Sequence, residues 1–185
     1  MNALIVYGTR YGATTATSEE IAKVLQGEGF EVKVVNAKKE KVKDISPYEI
    51  VIIGSGLQMG KWTGEVEDFV KRFHKELTHK KVAVFISSMK TVPEHEGKTE
   101  EVAKIRSLGL DDKIAKHGLK PFDVAVFGGV LDFNKMNIIT RRVLGSVKTR
   151  IEKDGFKQTQ PGVYELRDWE EIRAWAKELA TKARQ

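Results

Sequence analysis

Five short runs rich in Val and Ile, at residues 3–7, 31–35, 50–53, 82–86 and 124–127, constrain this chain more than any other feature. Runs that are apolar without alternation belong to strands buried on both faces, which means a parallel sheet covered by helices on its two sides. Helical patterns fill the intervals. Residues 18–26 place Ile21, Ala22 and Leu25 on one face, and 64–77 do the same with Val66, Phe69, Val70 and Phe73. A third pattern at 98–117 carries Val102, Ile105 and Ile114 and is interrupted at Gly109. The last, 168–184, opens on Asp168, Glu170 and Glu171 and closes on Lys182 and Arg184, as the helix dipole favours. Alternating strands and right-handed crossovers predict a doubly wound α/β fold, with strand order 2-1-3-4-5 a common solution. The expected organisation is one domain over residues 1–185 with an insert after the fifth strand at about 133–165.

Composition narrows the chemistry. With no cysteine, the chain has no disulfide, no thiolate nucleophile and no Cys-bound metal or cluster. Redox chemistry therefore needs a bound cofactor. No stretch approaches the roughly 20 apolar residues that span a bilayer. The amino terminus enters its first strand without a basic leader, so the expected location is the cytoplasm. The net charge is +6, and the excess is local: residues 133–157 hold Lys135, Arg141, Arg142, Lys148, Arg150, Lys153 and Lys157 against Glu152 and Asp154. Such a surplus points to an anionic partner.

In open α/β sheets, ligands bind outside the carboxyl ends of the strands. After the first strand comes Thr9-Arg10-Tyr11-Gly12-Ala13-Thr14-Thr15, leading into a helix. Hydroxyls, a glycine for a tight turn and a helix amino terminus together suit a phosphate. The dinucleotide fingerprint and the G-K-[ST] of triphosphatases are both missing. After the third strand, Gly54-Ser55-Gly56-Leu57-Gln58-Met59-Gly60-Lys61-Trp62 brings glycines that let peptide groups approach a ring edge, with Trp62 or Met59 to pack on its face. Trp62 sealing the next helix against the sheet is the competing expectation. The fourth strand ends in Ser87-Ser88-Met89 and the fifth in Gly128-Gly129-Val130-Leu131-Asp132, at the same edge of the sheet.

These loops resemble those of the flavodoxins. Thr9-x-x-Gly12-x-Thr14 is similar to the flavodoxin phosphate loop, and the segment after the third strand is similar to the one that lies against the isoalloxazine ring. Within the superfamily, the chain resembles the menaquinone-dependent protoporphyrinogen oxidases over essentially its whole length. The shared features are Thr9-Arg10-Tyr11-Gly12-Ala13-Thr14, the Gly-rich second loop with its aromatic, the basic insert, and Tyr164-Glu165-Leu166-Arg167-Asp168-Trp169-Glu170 opening the final helix. The resemblance implies flavin mononucleotide (FMN) as cofactor and electron transfer from a reduced tetrapyrrole to a quinone. Flavodoxins usually place an aromatic over the outer ring face after the fifth strand. None stands between Gly128 and Asp132, which leaves that face open to a substrate.

From Met136, apolar residues recur at Ile139, Val143, Val147 and Ile151, a helical stripe with Lys135, Arg141, Arg142 and Lys148 off it. That basic amphipathic helix suits packing on the domain with a solvated basic face, an anionic membrane surface, or the propionates of a porphyrinogen. The four histidines, His74, His79, His95 and His117, lack metal-ligand spacing and read as solvated side chains. Glu94/Glu96 and Glu100/Glu101 have no apolar pocket to shift them. Nucleic acid is not expected, because no aromatics interleave the basic residues. Three functions stay open: an FMN enzyme of the protoporphyrinogen oxidase type, an FMN electron carrier docking to a redox partner, and a quinone or NAD(P)H reductase.

Overall fold

The structure is a computed structural model that describes residues 1–156 and 158–185. Lys157, counted above in the basic segment, and the side chain of Val143 in the apolar stripe lie outside the described residues. Elements follow the chain as β1 (Asn2–Gly8), α1 (Ala13–Gly27), β2 (Glu31–Asn36), β3 (Ile50–Gly56), α2 (Gly64–Arg72), α3 (His74–Leu77) and β4 (Lys81–Ser88). Next come α4 (Thr91–His95), α5 (Thr99–Arg106), a π-helical turn (Ser107–Asp111), α6 (Asp112–Lys116), β5 (Asp123–Gly128) and β6 (Val130–Asp132). The chain closes with α7 (Ile138–Val143), α8 (Gly145–Lys153), β7 (Gln158–Gln160), β8 (Val163–Glu165) and α9 (Trp169–Ala183).

The first five strands form one parallel sheet in the expected order, β2-β1-β3-β4-β5. Side chains alternate across it, so each apolar strand feeds two cores. Ala3, Ile5, Ile50, Ile52, Phe85 and Phe127 meet α1 and α9 on one face, where Ile21, Leu25, Ile172 and Leu179 are buried. Leu4, Val6, Val51, Ile53, Val84 and Ile86 meet Trp62, Val66, Phe69 and Leu110 on the other. Asp168 caps α9 by accepting from the Glu170 and Glu171 amides at 2.9 and 3.0 Å.

The insert departs most from expectation. Its stripe is not one helix: a turn at Leu144 separates α7 from α8. Met136 and Ile151 turn inward, whereas Ile139 is left on the surface. A three-stranded antiparallel sheet, β6-β8-β7, closes the insert, and its strands are too short to leave a periodic signal. Together these pieces build a third apolar cluster of Val92, Leu131, Phe133, Met136, Ile151, Tyr164 and Leu166, with Tyr11 and Met89 at its margin. Arg150 of α8 fastens it, donating to both Glu96 and Glu101. The Arg150 hydrogen bonds hold the Glu96 carboxyl down at about 2.

Candidate functional site

The strand ends converge at the carboxyl edge of the sheet. Gly12, at φ 98°, turns the first loop into α1, and Thr9 Oγ1 accepts from its amide at 2.9 Å. Thr14 is 1% exposed, and its Oγ1 has no hydrogen-bond partner among the described residues. Gly56 packs against it: a Cβ on that glycine would lie 3.3 Å from Thr14 Oγ1 and 3.6 Å from the Arg10 amide. Gly56 pairs in register with Ser87, whose hydroxyl is likewise buried without a partner, and the Leu57 amide donates to the Ser87 carbonyl at 2.8 Å. On the far side, a Cβ on Gly129 would sit 3.1 Å from the Ser88 carbonyl and 3.9 Å from Ala13 Cβ. Four strand ends thus meet around two orphaned hydroxyls.

The second loop is a tight turn. The Gln58 and Lys61 amides and carbonyls exchange hydrogen bonds at 3.2 and 3.0 Å, with Met59 at φ 50° and Gly60 at φ 70° between them. A left-handed backbone is strained for methionine, and Met59 is the one non-glycine residue there among the described residues. Its side chain is 85% exposed and free to lie on a planar ring.

Several expected site residues do other work. Trp62 is 3% exposed, donates its indole N–H to the Gly109 carbonyl at 2.7 Å and stacks on His117 at 5.9 Å. The structure therefore corrects the ring-face role for Trp62: its polar edge is spent on the π-helical turn and its faces on the core. Arg10 donates to the Lys61 and Trp62 carbonyls at 3.4 and 3.0 Å, tying the first loop to the second. Ser55 is buried, and its Oγ accepts from the Thr63 amide at 3.0 Å. Gly54 leaves room for Phe85, whose ring would lie 2.3 Å from a Cβ there, so it serves the sheet rather than a ring edge. Gly128 is filled by the Leu166 carbonyl, 1.9 Å from a Cβ, and Leu131 faces the insert cluster. Ser88 Oγ donates to the Phe127 carbonyl at 3.2 Å, and Met89 borders that cluster. His117, expected in solvent, is buried, which holds its imidazole below the ordinary 6.5.

Beside the first loop lies a cleft of about 270 Å³ where Tyr11, Gly12 and Ala13 face Val130, Asp132, Lys135, Gln160 and Arg167. Lys135 pairs with Asp132 at 3.0 Å. Arg167 pairs with Glu165, donates to the Ala13 carbonyl at 3.2 Å and lies 4.3 Å over the Trp169 ring. The sequence shows Asp132 after the fifth strand and Arg167 before the final helix but does not place either, or Gln160, beside the first loop, since only the small sheet carries them there. Of the other basic candidates, Arg141 donates to the Phe133 carbonyl at 2.7 Å and Lys148 pairs with Glu152 at 3.8 Å. A larger groove of about 400 Å³ runs along β5 between α5 and α9, but its charges, Lys90 and Arg106 with Glu171 and Glu178, are of both signs. Among the described residues, no group of three or more His, Asp or Glu side chains can hold a metal ion.

Solved structures share this fold at low identity. A short-chain flavodoxin associated with a non-canonical PDU bacterial microcompartment is 17% identical, with TM-score 0.58 and 99% of each chain covered. A Streptococcus pneumoniae flavodoxin is 16% identical, with TM-score 0.57, covering 100% of this chain and 98% of that one. The rubredoxin oxygen:oxidoreductase of Desulfovibrio gigas is 14% identical, with TM-score 0.53 over 99% of this chain, which spans 36% of the larger protein. The model of the flavodoxin domain matches residues 4–158. FMN is the cofactor of that family. The residues present fit it: the orphaned Thr14 and Ser87 hydroxyls and the glycine cradle offer polar partners to its phosphate and ribityl chain. The match runs through all five strands of the parallel sheet and both loops built on them, and the chain belongs to the flavodoxin domain family.

Proposed function

We propose that the chain is an FMN-dependent oxidoreductase of the protoporphyrinogen oxidase type, taking electrons from a reduced tetrapyrrole and delivering them to a quinone. The bound flavin supplies the electron transfer itself. The chain's residues bind and orient: Thr14, Ser87 and the first-turn amides of α1 hold the phosphate end, and Met59 packs beside the ring.

The observation that supports this reading is the cleft beside the phosphate loop, where Lys135 and Arg167 stand opposite Tyr11 and Gly12. Lys135 is the exposed cation at its rim, shared with Asp132, and suits one propionate of a porphyrinogen by a charge-assisted hydrogen bond, while Arg167 is held inward by Glu165 and the Ala13 carbonyl. The segment from Gly128 to Asp132 carries no aromatic to cover the outer ring face. In each turnover a pair of electrons and their protons leaves the porphyrinogen, and the quinone takes up both as quinol.

The test is anaerobic mixing of FMN-loaded protein with protoporphyrinogen, following bleaching of the flavin band and growth of porphyrin fluorescence. Reduction well above the free-flavin rate is expected, with Lys135→Ala raising KM about tenfold by loss of one charged contact. Reduction no faster than by free FMN would overturn the proposal.

A further inference from the structure

The insert spends most of its apolar residues on the third cluster, but not all. Ile138 and Ile139, the first residues of α7, are 82% and 75% exposed. Isolated exposed aliphatics are ordinary; two adjacent ones at this exposure, on a helix held in place, call for a partner. The helix is fixed at both sides of the pair. Asn137 caps it by accepting from the Thr140 amide at 2.8 Å, and Arg141 anchors it to the Phe133 carbonyl. Met136, just before the cap, is buried in the insert cluster.

Charge identifies the occupant. Arg142 stands four residues after Ile138 and three after Ile139, so it shares their helical face. No carboxylate lies within ion-pair distance of Arg142 or Lys153 among the described residues, whereas Lys135 and Lys148 on the same insert are each shared with one carboxylate, Asp132 and Glu152. An exposed apolar step with an unpaired cation on its own face, on an insert of net positive charge, is the pattern that enters the headgroup region of an anionic bilayer, where neither element alone holds firmly.

We infer that α7 is a membrane foot: Ile138 and Ile139 insert into an anionic lipid surface while Arg142 and its basic neighbours meet the headgroups. The inference deepens the proposed function and rests on it for its purpose, because a lipid-dissolved quinone is reached from the surface on which the protein sits. It does not follow from the basic stripe expected in the sequence, since the apolar part of that stripe is largely buried.

Co-sedimentation of the FMN-loaded full chain with phosphatidylcholine vesicles, with and without phosphatidylglycerol, tests it without turnover, so its failure is separate from failure of the porphyrinogen assay. The expected result is salt-sensitive binding to the anionic vesicles only, weakened tenfold or more in Ile138→Ser/Ile139→Ser and less in Arg142→Gln, with FMN content and thermal midpoint unchanged. Absence of binding, or binding equal in the double variant, would overturn the inference. So would concentration-dependent self-association that the double variant abolishes, since a second copy of the chain would then be what covers the pair.

Discussion

The buried hydroxyl of Thr14 lies against the α-carbon of Gly56, so close that a methyl group there would sit 3.3 Å from Thr14 Oγ1. This contact brings the first and third strand ends to one point and leaves a hydroxyl with no protein partner beside a helix amino terminus. Thr14→Val removes that donor with little change in volume. FMN affinity should fall about 10- to 100-fold, the worth of one charge-assisted hydrogen bond, while riboflavin affinity stays within about twofold. Quenching of flavin fluorescence measures both, and equal losses for the two ligands would refute the contact with phosphate.

Trp62 packs in the core and bonds to the π-helical turn, so its removal should cost stability rather than cofactor. Trp62→Phe is expected to lower unfolding free energy by about 1–3 kcal/mol, leaving the Gly109 carbonyl without its donor. FMN affinity should change by less than about threefold. A large loss of FMN with unaltered urea denaturation would return Trp62 to the ring.

Arg150 joins the insert to Glu96 and Glu101 across the end of the sheet. Because the Glu96 carboxyl is held at about 2 in the fold against an ordinary 4.5, the unfolded chain takes up its proton first as pH falls. The clamp's contribution is therefore complete above about 4.5 and lost toward 2. Arg150→Met should melt below wild type and show faster proteolytic nicking of the insert near neutral pH, and match wild type at the acid end. A constant difference across that range would show that the ion pairs contribute nothing.

His117 titrates in the other familiar window. Burial favours its neutral ring, opposed by Glu67 and assisted by Lys116, Lys71 and Lys113. Its folded value lies below 6.5, so stability is full above that pH and declines as the pH drops through the window beneath it. Thermal midpoints of wild type and His117→Gln should converge on acidification from neutrality, and parallel curves would count against the argument.

The parallel sheet was legible because strands buried on both faces cannot hide: Leu4 to Val6 and Val51 to Ile53 are apolar at every position. The first loop was legible for a related reason, since Gly12 and Thr14 sit where the topology demands a ligand. Trp62 was ambiguous because its sequence position is the same whether its ring meets a flavin or the core; only the Gly109 carbonyl, 47 residues away, decides it. The apolar spacing from Met136 to Ile151 runs unbroken through the turn at Leu144, so periodicity suggests one helix where the backbone makes two. The small sheet of β6, β7 and β8 has three residues per strand, too few for alternation to register. With it went the placement of the residues it delivers to the first loop, Arg167 foremost.

The central assignment, a phosphate-anchored FMN at the converging strand ends, is tested most directly by titrating flavin-free protein with FMN and with riboflavin side by side. The expected result is stoichiometric binding of FMN at least about 100-fold tighter than riboflavin, the difference belonging to the phosphate and its partners in the first loop. Equal affinity for the two flavins, or binding of neither, would contradict it.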